Sequence, residues 1–149
     1  MKRSLTLGLF LFFAVSAVGA NGAPIGYIKE LSGTAFVISE ESRRPAQLAE
    51  PILLNDTLET ASDGALGVLF IDDSRLSIGA DTSLTIDEYV YVPGSDEGSF
   101  ISRMARGTLL YVSGLIAKLS PESARVETPV GTIGIRGTRF LVKLEWDSE

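Results

Sequence analysis

Four aspartates, Asp72, Asp73, Asp81 and Asp87, crowd one stretch of the chain. Carboxylates at that density are the raw material of a glycosidase acid–base pair or of a calcium site. A second candidate is Thr128–Phe140, where Gly131, Gly134 and Gly137 recur every third residue beside Arg136 and Arg139. Glycine-rich backbone with nearby guanidinium groups is how phosphate is cradled. A third is the pair Tyr89 and Tyr91, whose spacing puts both rings on one face of a strand, a geometry suited to sugar or protein contact. The sequence contains neither His nor Cys. That removes the imidazole base, the thiolate nucleophile and the nitrogen and sulfur ligands of zinc.

Spacing weakens each chemical reading. Asp72-Asp73-Ser74 and Ala80-Asp81-Thr82 fall where hairpin turns are expected, and Asp favours turns for backbone reasons. The acidic alternation of an EF-hand is not matched. The glycine run reads G-x-x-G-x-x-G, with no Lys after it and with strand-forming residues Phe140, Leu141 and Val142 next. Neither a P-loop nor a dinucleotide fingerprint has that form. Each glycine inside a helix costs about 1 kcal/mol, so the run is not helical either. It is read as a β corner, with Thr128, Pro129, Gly131, Gly134, Arg136, Gly137, Thr138 and Phe140 in structural roles. The glycines then serve tight corners or close backbone approach, and Arg136 ties loop carbonyls or a carboxylate in place, with anion binding as its alternative. For Tyr89 and Tyr91, cross-strand packing competes with a binding surface. No catalytic residue, cofactor or metal is expected, and the chain is read as a non-enzyme.

The elements that must position these residues are short strands. Period-two alternation predicts strands over Ile25–Leu31, Thr34–Ser39, Gly64–Ile71, Arg75–Ile78 and Ser83–Val92. Residues 40–51 are polar, Pro-punctuated surface, and Asn55-Asp56 is a turn pair. Phe100–Arg106 and Thr108–Val112 flank Gly107, and 113–124 is read as strand although Leu115, Ile116 and Leu119 have helical spacing. Arg125–Thr128, Thr132–Ile135 and Thr138–Glu145 complete the series. Glycine, a small residue, then an apolar strand recurs at Gly33, Gly64, Gly107 and Gly137. The fold class is therefore all-β, a single domain of short strands stacked in a β-solenoid-like or sandwich-like way.

The N-terminus reads as a targeting segment. Lys2 and Arg3 precede an apolar run from Leu5 to Val18, and Val18-Gly19-Ala20 offers small residues for cleavage. A signal peptide over 1–20, with cleavage up to 23 as the alternative, leaves 129 of the 149 residues, one domain over 24–146. No second apolar run of that length follows, so no stable membrane span is expected after cleavage. Losing two cations takes the net charge from −6 to −8, which argues against nucleic acid as a partner.

Several segments resemble the FecR domain: Gly33-Thr34-Ala35, Asn55-Asp56-Thr57-Leu58-Glu59-Thr60, and Val68 through Gly79 with its Phe70-Ile71-Asp72-Asp73-Ser74-Arg75-Leu76 centre. The resemblance culminates in Thr128-Pro129-Val130-Gly131-Thr132 and Gly134-Ile135-Arg136-Gly137-Thr138-Arg139-Phe140. It implies a periplasmic all-β domain. The namesake members are transducers of iron–siderophore uptake with a cytoplasmic anti-sigma segment and a membrane helix, neither of which this chain is expected to carry. A stand-alone exported protein is expected instead, periplasmic or secreted, serving as a protein-binding, scaffold or signalling module. Polysaccharide or cell-wall binding through Tyr89 and Tyr91 is the alternative. Family domains commonly continue past the strand that starts at Thr138, so that C-terminal edge strand is expected to meet a protein partner or a second copy. Trp146, in the acidic Glu-Trp-Asp-Ser-Glu, is expected to fold back on the sheet.

Overall fold

The computed structural model describes residues 22–40, 42–137 and 139–145. The signal-peptide reading, Thr138 and Trp146 lie outside the described residues. Twelve strands form a curled, mostly antiparallel sheet, a half-barrel: β1 (Gly26–Ser32), β2 (Ala35–Ser39), β3 (Ser42–Pro45), β4 (Pro51–Ile52), β5 (Thr57–Thr60), β6 (Ala65–Phe70), β7 (Arg75–Ile78), β8 (Ser83–Tyr91), β9 (Gly98–Val112), β10 (Ala124–Thr128), β11 (Gly131–Gly134) and β12 (Arg139–Leu144). The main path runs β3-β2-β5-β8-β9-β7-β6-β1-β4, with β10 and β12 on β9 and β11 on β10. The strands are neighbours in one sheet whose two halves close on a common core.

β9 makes the curl. Its first half pairs with β8 and β10, and its second half with β7 and β12. Where the sequence reading placed two strands flanking Gly107, the chain forms one strand bent at that glycine, with φ +99°. A Cβ at Gly107 would lie 2.1 Å from Thr82 Oγ1 and 2.5 Å from Thr82 Cα. Only glycine allows the bend and the approach together. The Thr82 hydroxyl accepts from the Thr108 N–H at 3.0 Å, and Thr60 Oγ1 accepts from the Thr82 N–H at 3.0 Å, so the corner is laced by threonines.

The core is one cluster drawn from both halves. Through it runs a row of rings, Tyr89–Phe70–Phe100–Tyr111–Phe140, with successive centroids 5.1–5.5 Å apart. Each such contact adds to the burial of its rings by about 0.5–1.5 kcal/mol. The row starts on β8 and ends on β12.

Two sequence expectations are corrected. Residues 113–124 are not strand: α1 (Leu115–Leu119) and a 3-10 turn (Pro121–Ser123) occupy them. β10 runs parallel to β9, and a parallel pair requires a crossover, for which a helix is the usual solution. Residues 40–51 are not merely a surface excursion, because β3 lies there and Ala46 is buried.

Candidate functional site

Asp72 decides what the aspartate cluster does. Its carboxylate is fully buried. Oδ1 accepts from the Ser74 N–H at 3.2 Å, the Ser74 hydroxyl at 2.6 Å and the Tyr89 hydroxyl at 2.9 Å, while Oδ2 accepts from the Ile116 N–H at 3.1 Å. The backbone joins in, with Asp72 N–H donating to Tyr89 Oη and Leu115 N–H donating to the Asp72 carbonyl. A buried charge is tolerated where donors surround it in this way. The lone pairs are taken by the protein itself, so Asp72 holds three elements together: the β6–β7 turn, β8 and the start of α1. Asp73 and Asp81 sit in turns at φ +66° and +50°, and Asp87 pairs with Arg103 at 3.0 Å on the outer surface.

Gly114 completes this node. A Cβ there would lie 2.2 Å from Ser74 N and 2.3 Å from the Asp72 carbonyl oxygen. The first N–H groups of a helix need acceptors, and a side chain just before the helix normally supplies one. Here no local side chain does so, and Asp72, 44 residues away from Ile116, takes the place. Neither the role of Asp72 nor that of Gly114 was read from the sequence. The Asp-Asp-Ser triplet signalled a turn, and nothing local linked it to α1.

Tyr89 is not an exposed platform; it is 8% exposed. Alternation from the buried Leu84 and Ile86 would turn Tyr89 outward. A β-bulge between Ile86 and Glu88 shifts the register by one, which turns Tyr89 and Tyr91 inward. Burial, reinforced by the negative Asp72 carboxylate, raises the Tyr89 pKa far above the ordinary 10.0. Tyr111 is raised by burial as well, with nearby Ser74 acting in the other direction. Its hydroxyl meets no partner at full hydrogen-bonding geometry among the described residues.

Beside Tyr91 lies a groove of about 910 Å³, lined among others by Arg44, Leu53, Leu54, Asp56 and Ile71. Its polar floor is tied up internally. Arg44 donates to Glu50 at 2.6 Å and to Ser39 Oγ at 2.8 Å, and Ser39 in turn donates to Asp56 at 2.7 Å. Half-exposed Leu54 and Ile71, with the half-buried Tyr91, form the free contact surface.

The glycine segment is a hairpin and the strand that follows. Thr128 Oγ1 accepts from the Val130 N–H at 3.3 Å and donates to the Gly131 carbonyl at 2.8 Å, closing a turn whose tip is Pro129-Val130. Among the described residues no heavy atom lies within 4 Å of a Cβ built on Gly131, Gly134 or Gly137, so no close backbone approach there calls for them. Arg136 is exposed and makes no hydrogen bond among the described residues. The anchors are ones the sequence reading passed over: Ile135 is fully buried, and Ser113 Oγ donates to the Gly137 carbonyl. Phe140 then stacks on Tyr111.

Four strands pair on one side only among the described residues: β3, β4, β11 and β12. β4 has two residues, one of them proline. β3 carries Arg43, Arg44 and Pro45, and β11 is a four-residue Gly-Thr-Ile-Gly. Shortness, charge and proline are how proteins blunt an edge against pairing. β12 has six residues and no Gly, Pro or bulge; it carries exposed Arg139 and Lys143, and between them its outward Leu141 is 66% exposed.

The family model described as FecR protein matches residues 56–148. The chain belongs to the FecR family. That match spans the Asp72 node, the bend at Gly107 and the whole of the glycine hairpin and β12. Among solved structures, a protein titled "Cell surface anchoring domain" is similar at 32% identity, over 42% of this chain and 83% of that one, with a TM-score of 0.40. No curated protein matches. Among the described residues no helix is long and apolar enough to cross a membrane.

Proposed function

We propose that this FecR-family domain is a non-catalytic binding module of the cell envelope, exported to the periplasm, which takes a strand of a protein partner onto the outer edge of β12. The observation that carries the reading is the contrast among the four edges. Three are four residues or shorter, and the fourth has six residues with exposed Leu141 between Arg139 and Lys143. An added strand gains main-chain hydrogen bonds from such an edge and specificity from alternate side chains. Family membership and the basic, then apolar, then small pattern of the first twenty residues support the envelope location.

The test is a photoreactive amino acid placed at Leu141, with Val90 as the exposed apolar control on β8. Cross-linking in intact cells is expected to give a discrete adduct from Leu141 and none from Val90. Equal or absent adducts at both positions would overturn the reading. A second reading, glycan contact in the groove beside Tyr91, rests on that ring and on Leu54 and Ile71. It predicts that Tyr91→Ala loses retention on a peptidoglycan column; retention unchanged in that variant removes it.

A further inference from the structure

The side chains of β12 specify the incoming strand more closely. Along its outward face stand Arg139, Leu141, Lys143 and then Glu145, all exposed. Along its inward face stand half-buried Phe140, buried Val142 and half-buried Leu144. In an antiparallel pair, residues directly opposite interact, so a second copy of the same strand can be laid against the first in each register in turn.

With Val142 on a two-fold axis, Arg139 faces Glu145, Phe140 faces Leu144 and Leu141 faces Lys143, and each pair occurs twice. The inward face then becomes a continuous apolar strip of Phe140, Val142 and Leu144 from both copies. With Leu141 on the axis, Arg139 faces Lys143 twice. With Lys143 on the axis, two ammonium groups meet and Glu145 faces Leu141. Of these three registers, the one about Val142 pairs Arg139 with Glu145 and aligns the whole apolar face, while setting Lys143 beside Leu141. Glu145, one residue past β12, pairs with Lys143 through one carboxylate oxygen at 2.6 Å, and its other oxygen is available to Arg139 of the second copy.

We infer that the occupant of the β12 edge is a second copy of this chain, paired antiparallel about Val142 in an isologous dimer. This rests on the strand-addition reading and names its partner. The contact is short, so the dimer is reversible and depends on concentration.

The test uses the full-length chain, which has no cysteine of its own. The double variant Leu141→Cys, Lys143→Cys is expected to form a disulfide-linked dimer under mild oxidation, and Leu141→Cys alone is expected to form none. Sedimentation should show Arg139→Glu and Glu145→Arg each weakening self-association by about tenfold or more, with the double charge swap restoring it. Cross-linking by Leu141→Cys alone, or an Arg139→Glu variant that associates as before, overturns the register. A strict monomer at every concentration overturns the dimer. If that monomer still yields a Leu141 adduct with another protein in cells, strand addition stands and only its occupant is wrong.

Discussion

Asp72 shows how a residue with catalytic credentials becomes structural. Four donors converge on its carboxylate, so removing it strands all of them at once. Asp72→Ala is expected to cost about 3–5 kcal/mol in urea unfolding. Tyr89→Phe removes one donor and one acceptor and is expected to cost about 1–3 kcal/mol. If the two variants prove equally mild, the node is not what holds the loops together. The tyrosines also set a pH dependence. Tyr89 and Tyr111 stay neutral in the folded chain to higher pH than in the unfolded one, where the ordinary value is 10.0. Above that value the unfolded chain binds fewer protons, so stability is intact below pH 10 and falls as pH rises. The slope should approach about 1.4 kcal/mol per pH unit for each tyrosine. Urea midpoints measured from about pH 9 to about pH 11 check the sign, and Tyr89→Phe should flatten the fall.

At the scale of elements, legibility followed locality. The alternation of β6, β7 and most of β8 is written in neighbouring residues and was read correctly as strand. α1 was missed because its cap comes from Asp72, far away in sequence, while Gly114 before it looked like a break. Gly114 is instead a contact point, and Gly114→Ala is expected to cost more than about 3 kcal/mol because both clashing atoms belong to backbone. The orientation of Tyr89 was hidden by a bulge, which alternation does not announce. In the glycine segment a Cβ on Gly131, Gly134 or Gly137 would meet open space among the described residues, while Ile135 and the motif's own Phe140 carry the packing. Hydrogen exchange across α1 offers a separate check. Its amides should lose protection in Asp72→Ala before the sheet does.

For the whole molecule, the all-β class and the FecR family were both accessible from sequence, whereas the arrangement was not. Short glycine-punctuated strands suggest stacked layers first and a sandwich second. The bend of β9 at Gly107, held against Thr82, selects a curled sheet with one core. That curl leaves β12 at a rim, with its inner ring, Phe140, ending the aromatic row that begins at Tyr89. If β12 takes a strand, its outer edge is open in the single chain and covered in the complex. Residue-resolved hydrogen exchange of the β12 amides measures this directly. In dilute protein, alternate amides, those facing away from β9, should exchange freely, and they should gain protection at high concentration or with a bound partner. Protection of every β12 amide in the dilute monomer, or no gain on association, would contradict the account.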